Sequence, residues 1–511
     1  MTTTTKGAGY RVRVQGTTYC AIVALIPSLL AAQATKQPAR PAAQRATAQQ
    51  PLDRTVQPAA GKQPEMKVPA WTKIRLTNGA ELVVSVKRGL PLVSVSMDFI
   101  GGSAQFEGPA KLGAAALTSQ MMVEGTTSRT GDQLADAQQM LGTSVFVRVG
   151  RESGSIGFTA LSDKLDAAFE IMADVLLNPS FPADALVRRR GQMLVSLTQA
   201  KDQPNAIAST VFSRVLYGDE HPYGSVVTEK TVNAVSREDI VAFHQAYFQP
   251  GRAIITIVGD VEPGRVRAAF EKAFANWKTG GDRPTFAYPA VPSSKSTTIY
   301  LVDKPKSAQS VFALGVPGPS RDTPDYYALA VMNNLLGGLF QSRLNYLIRE
   351  VKGYSYGVNS SFAYGRGPGA FRAGGGIVTA KTDSALIDFM AELKGVQGGK
   401  PFTDDELTQG KESLIQRLPS RFAGVNAAVG AISSVYVQGL PEDYWQDYAR
   451  NIAAVTSDDL VRVARMYIDL NNFNLIIVGD RASIEEPLRK TGIAPIVILD
   501  IEGKPVNTVV P

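Results

Sequence analysis

Leu112 to Thr126 reads LGAAALTSQMMVEGT, a run of small and apolar residues set between two glycines, Gly113 and Gly125. The spacing predicts an amphipathic helix packed in a core, with Ala116, Ser119 and Gln120 inside one turn and therefore on one face. Three side chains so placed could converge on one ion if each presented a lone pair. Catalytic zinc takes three protein ligands from His, Cys, Asp and Glu and leaves a fourth position for water. Alanine offers no donor, a glutamine carbonyl is a weak ligand, and a serine hydroxyl keeps its proton near neutral pH. The stretch therefore predicts a core helix with no metal donors on that face.

Laid against known patterns, the stretch resembles the G-x-x-H-x-x-E-H-M-x-x-x-G-T segment of the pitrilysin/insulinase-type zinc peptidases, a family that includes mitochondrial processing peptidase. Gly113, Met121, Gly125 and Thr126 match, whereas the two histidines are replaced by Ala116 and Gln120 and the catalytic glutamate by Ser119. The family's third ligand, a glutamate on a later helix, falls at Ser196 in the run VSLTQAKDQP. The resemblance implies that the frame of the active-site wall persists while all its ligands are gone. A full ligand set contributes on the order of 10 kcal/mol or more to a structural zinc site, so no metal is expected in this chain. Only two histidines exist, His221 and His244. His221 lies in His-Pro-Tyr-Gly, similar to a family loop, and reads as a turn residue. His244 falls inside a helix between Phe243 and Tyr247 and reads as structural.

Beyond residue 66 the chain repeats itself with a period of about 220 residues. Ser236-Arg237-Glu238-Asp239 and Thr456-Ser457-Asp458-Asp459 both carry a helix-capping pattern, and each precedes an apolar strand ending in Val-Gly-Asp, at Asp260 and Asp480. Phe181-Pro182-Ala183-Asp184 is echoed by Phe402-Thr403-Asp404-Asp405. Two halves of this length, each mixing strands and helices, predict duplicated α+β domains, 67–285 and 297–500, with a proline- and serine-rich hinge near Pro292. In the first half WTKIRLTNGAELVVSV reads as a hairpin turning at Asn78-Gly79. Further strands are expected at Pro91–Ile100 and Ser144–Ala160, and helices at Ser162–Leu177, Ala183–Lys201 and Arg237–Phe248. The family likeness implies that the pair forms half of a clamshell.

Residues 1–34 differ in kind. Lys6, Arg11 and Arg13 precede an apolar run from Tyr19 to Ala32 that ends in Ala32-Gln33-Ala34, the order of a secretory signal peptide. The run is short for a membrane span, which leaves a signal anchor as the competing reading and predicts no stable membrane insertion after cleavage. Residues 35–66, rich in Ala, Pro and Gln, are expected to be a disordered linker. The single cysteine, Cys20, lies in the leader, so the mature chain has none. An exported chain without disulfides fits the bacterial periplasm. Residues 1–66 hold eight basic and two acidic side chains, +6 of the total +7, so the folded part is near neutral. It carries no clustered basic footprint for nucleic acid.

One motif remains. Leu347-Ile348-Arg349-Glu350-Val351-Lys352-Gly353-Tyr354-Ser355-Tyr356 resembles the family's L-R-E-x-x-G-x-x-Y segment, whose arginine and tyrosine reach substrate near the metal. Read from residues alone, Arg349 ends a helix, Gly353 suits the left-handed residue that stops it, and Tyr356 opens a strand. Arginine at a helix end and tyrosine on a strand are also ordinary packing. The likeness assigns Arg349 and Tyr356 to the substrate carbonyl. It implies a metal-free subunit of a heteromeric zinc peptidase that degrades peptides, with a homologous H-x-x-E-H chain as heterodimer partner and zinc in that partner. A non-enzymatic, chaperone-like clamshell that binds peptides is the rival reading. Two glycine-rich stretches, Tyr364–Gly369 and Ala373–Gly376, read as turns and bulges flanking a short strand.

Overall fold

The computed structural model describes residues 66–506 except 279, 281–284 and 293. The expected signal peptide, Cys20 and all but the last residue of the expected linker lie outside the described residues. The hairpin forms as the sequence predicts. Strand β1 (Thr72–Arg75) pairs antiparallel with β2 (Glu81–Val86) around Gly79, whose φ of +94° favours glycine. Strands β3 (Leu92–Ile100), β4 (Phe146–Val149), β5 (Ser153–Leu161) and β6 (Ala253–Gly259) complete a six-stranded sheet in the order β1-β2-β6-β3-β5-β4.

The second half rebuilds this plan with β7 (Thr298–Asp303), β8 (Gln309–Gly318), β9 (Ser355–Ala363), β10 (Gly369–Val378), β11 (Asn474–Gly479) and β12 (Ile496–Leu499), ordered β12-β7-β11-β8-β10-β9. The two strands ending in Val-Gly-Asp, β6 and β11, take equivalent places, each parallel to one neighbour and antiparallel to the other. The architecture is α+β, two homologous domains. One expectation is corrected: Ala373–Gly376 does not follow a short strand but lies inside β10, where pairing with β9 slips between Gly375 and Ile377. Glycine without a Cβ tolerates such an irregularity inside a strand.

Helices cover one face of each sheet. In the first half these include α1 (Ala114–Met121), α2 (Leu165–Leu177) and α3 (Ala183–Ala200), packed over Val93, Val95, Met97, Phe99, Ile255 and Ile257. Alternate residues of a strand point to opposite faces, so Ser94, Ser96, Asp98 and Thr256 look the other way. That second face is closed by a helix from the other half. Helix α4 (Pro204–Tyr217) of the first half lies on β8 and β11 of the second sheet, and α5 (Val425–Val437) of the second half lies on β3 and β6 of the first. The halves thus exchange one helix each.

The two exchanged seams differ in character. Under α4 the centre of the seam is apolar, with Ile207, Val211, Phe212 and Leu216 against Ala313, Ile476 and Val478, and polar contacts such as Tyr217 to the Pro368 carbonyl lie at its margins. Under α5 the seam carries polar pairs: Ser433 donates to Asp98 at 2.6 Å and Thr159 donates to Asn426 at 2.6 Å. Burial raises the Asp98 carboxyl above the usual carboxylate range, against the pull of Ser433 and Ser96.

Candidate functional site

Helix α1 is held in place at both ends by carboxylates, Glu107 before it and Glu124 after it. Gly113 starts it with φ +102°, and the Glu107 carboxylate accepts from the Gly113 and Ala115 amides at 3.1 and 2.6 Å, satisfying donors that a helix start leaves open. Burial nevertheless raises the Glu107 carboxyl above its ordinary range. At the other end Glu124 receives Arg188 at 2.5 Å and the Arg189 Nε at 2.5 Å, tying the turn after α1 to α3. Burial works to raise the Glu124 carboxyl, but the two guanidinium groups outweigh it and hold it below the usual range. In chemical terms an ion pair links the two helices that metal ligands would link.

The motif positions themselves carry no metal chemistry. Ala116 has no donor, and Ser119 is buried and turns its hydroxyl back onto the Ala116 carbonyl at 2.9 Å. Gln120 is half-buried on the same helix. Ser196 sits on α3, which packs against α1, but it is exposed and bonds the Gln192 carbonyl at 3.0 Å within its own helix. Among the described residues no three His, Cys, Asp or Glu side chains gather in a set able to hold a metal. The residues present do not fit zinc.

Arg349 lies in the π-helical turn Tyr346–Val351, which ends at Gly353 with φ +64°. Its guanidinium stacks 4.5 Å from the centre of the Phe340 ring, and its Nε is 3.2 Å from Glu350. Tyr356 opens β9, the edge strand, and is 87% exposed. No hydrogen bond or ring contact joins Arg349 to Tyr356. Phe340, Tyr346 and Val351 are also exposed, so Arg349 stands among aromatic and apolar side chains open to solvent.

The two histidines serve packing. His221 is buried, accepts from the Tyr223 amide at its Nδ1, and stacks on Tyr217. Burial and the nearby Arg151 depress its pKa. His244 contacts the Leu176 carbonyl at 2.7 Å, and burial depresses its pKa as well.

The His-Pro-Tyr-Gly turn proves to be part of a joint that the sequence reading did not anticipate. Glu152, in the turn between β4 and β5, accepts from the backbone amides of Arg366 at 2.9 Å and Gly367 at 3.1 Å, and from the Tyr223 hydroxyl. Arg366 in turn donates to the Val437 carbonyl at the end of α5. The glycine-rich loop 364–369 of the second half is therefore seated against the first half. Gly365 leaves room for this: a Cβ there would lie 2.1 Å from a Glu152 oxygen. Tyr217, beside the turn, has its hydroxyl pushed up to about 12 by burial. The only sequence signal was the coincidence of a Pro-Tyr-Gly turn and a Gly-x-Gly-x-Gly run, which says nothing about their meeting.

Comparison with known proteins places the chain clearly. Residues 82–223 match the model described as Insulinase (Peptidase family M16), and residues 234–414 match the one described as Peptidase M16 inactive domain. A protein named uncharacterized zinc protease from Mycobacterium leprae is 27% identical over 324 residues, covering 62% of this chain and 71% of that one. The uncharacterized zinc protease YmxG of Bacillus subtilis is 23% identical, covering 66% and 81%. A solved peptidase M16 inactive domain from Pseudomonas fluorescens superposes with TM-score 0.74 at 25% identity, over 80% of this chain and 98% of that one. A protease from Helicobacter pylori gives TM-score 0.74 at 20% identity and supports the fold alone.

Proposed function

The chain belongs to the M16, or insulinase, peptidase family, and from that premise we propose that it is a non-catalytic member, the substrate-binding subunit of a heteromeric zinc peptidase. One observation carries this reading: α1 and α3 keep their packing, yet Ala116, Ser119, Gln120 and Ser196 supply no ligand set. Hydrolysis then needs a homologous partner with H-x-x-E-H, which holds the zinc. On this reading Arg349 and Tyr356 project toward the partner's site. A guanidinium and a phenol can together grip a peptide carbonyl and stabilise the negative oxygen that forms when water attacks it. On the same reading the expected leader would direct the assembly to the periplasm, with peptides as substrates.

The test is to mix the chain with its H-x-x-E-H partner and measure cleavage of an unstructured peptide. Neither chain alone should cleave, and the mixture should. Arg349→Ala or Tyr356→Phe should lower the mixed kcat/KM by about a hundredfold or more, since one such donor contributes roughly 3 to 4 kcal/mol. Unchanged activity in both variants would remove these residues from the mechanism.

A second reading has its own support. Strand β9 is a sheet edge whose Gly357, Asn359 and Ser361 are exposed, so a peptide could bind by adding a strand without being cut. Peptide binding that persists with no cleavage in any mixture would favour it.

A further inference from the structure

The described arginines divide between those paired with acids and those held by backbone carbonyls or aromatic rings, such as Arg237 and Arg321. Arg188 and Arg189 share Glu124, and Arg343 grips Glu406. Arg372 has neither an acid nor a backbone carbonyl, only a hydroxyl and a ring. It lies inside β10, opposite Gly315 of β8 on one side and Ser361 of β9 on the other. Its neighbours Phe371 and Ala373 point into the core beneath the helices, so Arg372 points to the opposite face, where α4 crosses from the first half.

There its Nη1 donates to the Ser209 hydroxyl at 3.0 Å, and its guanidinium lies 5.3 Å from the centre of the Phe212 ring. Among the described residues no carboxylate pairs with it. Burial alone depresses its pKa, with no acidic neighbour working the other way. A guanidinium has five donors in a planar fork, and here only one hydroxyl answers them. A half-buried guanidinium keeps part of its fork open to solvent, where a ligand's carboxylate can reach it.

The surroundings show what could. Beside Arg372 the outward residues of β9, Asn359, Ser361 and Ala363, are small or polar and exposed, and across from them α4 presents exposed Asn205 and Ser209. Helix α4 lies over β8 and β11, so the sheet face over β10 and β9 that carries Arg372 is left beside it as a shallow groove with one wall. Strand continues on both sides of Arg372, from Gly369 to Val378, so a chain lying in the groove runs past the guanidinium rather than ending on it.

We propose that the groove beside α4, over β10 and β9, binds an extended peptide and takes an aspartate or glutamate side chain of that peptide onto the Arg372 guanidinium. This rests on the reading of the chain as a peptide binder and adds a preference for acidic sequences. It does not involve Arg349 or Tyr356.

Fluorescence anisotropy on the full mature chain tests the proposal. The probes are two labelled, unstructured peptides with blocked ends, differing only by Asp or Asn at the centre, and a third with Asn and a free carboxyl terminus. The Asp peptide should bind about tenfold more tightly than its Asn counterpart, the scale of a charged hydrogen bond. Arg372→Gln should bring the Asp peptide to the Asn value and leave the Asn peptide unchanged, whereas Arg372→Lys should keep a preference. Ser209→Asp supplies an internal carboxylate and should abolish the preference without touching the arginine.

Peptide binding with no acidic preference, or a preference that survives Arg372→Gln or Ser209→Asp, overturns the proposal and leaves the peptide-binding reading standing. So does a preference confined to the free carboxyl terminus, or a loss of both blocked peptides together in Arg372→Gln. Binding of no peptide at all removes both.

Discussion

Glu152→Ala should loosen the joint between the halves, and the size of the effect follows from its contacts. The carboxylate accepts two backbone amides of the loop 364–369 and the Tyr223 hydroxyl. Alanine reaches none of them. Hydrogen bonds to a charged group contribute about 1.5 to 3 kcal/mol each, so the two amides alone set a scale of about 3 to 6 kcal/mol. Glu152 is half-buried, and water can reach part of the space it leaves, so about 2 to 4 kcal/mol is the expected loss. Glu152→Gln keeps an acceptor oxygen and should lose less. Urea unfolding measures the total, and hydrogen exchange reads the site directly, because the Arg366 and Gly367 amides should lose protection while those of β6 keep theirs. A Glu152→Ala protein within about 0.5 kcal/mol of the parent, with both amides still protected, would refute the reasoning.

Other outcomes follow from the same structure. Glu406 receives Arg343 in a fork, two bonds of 2.7 Å, and its carboxyl is pulled down to about 2, chiefly by those bonds. A depressed acid stabilises the fold above its unfolded pKa, so this contribution is complete above about pH 4.5 and is lost as pH falls toward 2. Arg343→Ala should flatten that part of the stability profile, as acid titration of unfolding shows. The combined variant Ala116→His, Ser119→Glu, Gln120→His and Ser196→Glu restores the family's ligand types to helices already packed together. Elemental analysis should find about one zinc per chain, and a metal-free variant would mean that the α1–α3 geometry no longer suits the ion. Gly365→Ala places a Cβ against the Glu152 carboxylate and should shift unfolding in the same direction as Glu152→Ala.

The sheets were largely legible in the sequence because their signals are local. Asn78-Gly79 turns the first hairpin, apolar alternation marks β3, and the twin Val-Gly-Asp endings mark the equivalent central strands. Helix Gly131–Met140, with Thr130 and Gln133 forming a capping box, and α4, with Pro204 at its start and Gly218 at its end, carry equally local signals. What could not be read is where α4 and α5 go. Their apolar faces say that they pack, not that each packs on the other half's sheet. The candidate site divides the same way. The absence of donors at Ala116, Ser119 and Gln120 is plain in the residues, and so is the turn at Gly353. The exposure of Tyr356, the stacking of Arg349 on Phe340, the seat of Glu152 and the solitude of Arg372 depend on contacts between residues far apart in the chain.

The reciprocal crossing of α4 and α5 bears on how the polypeptide is made. During synthesis every strand of the first sheet leaves the ribosome well before Val425–Val437 does, so the surface holding Ser94, Asp98 and Thr256 stays wet until more than four-fifths of the sequence has been made. A gene cut at the hinge would yield two fragments, each with a bare sheet and an orphan helix. They should regain native structure only when both are present together.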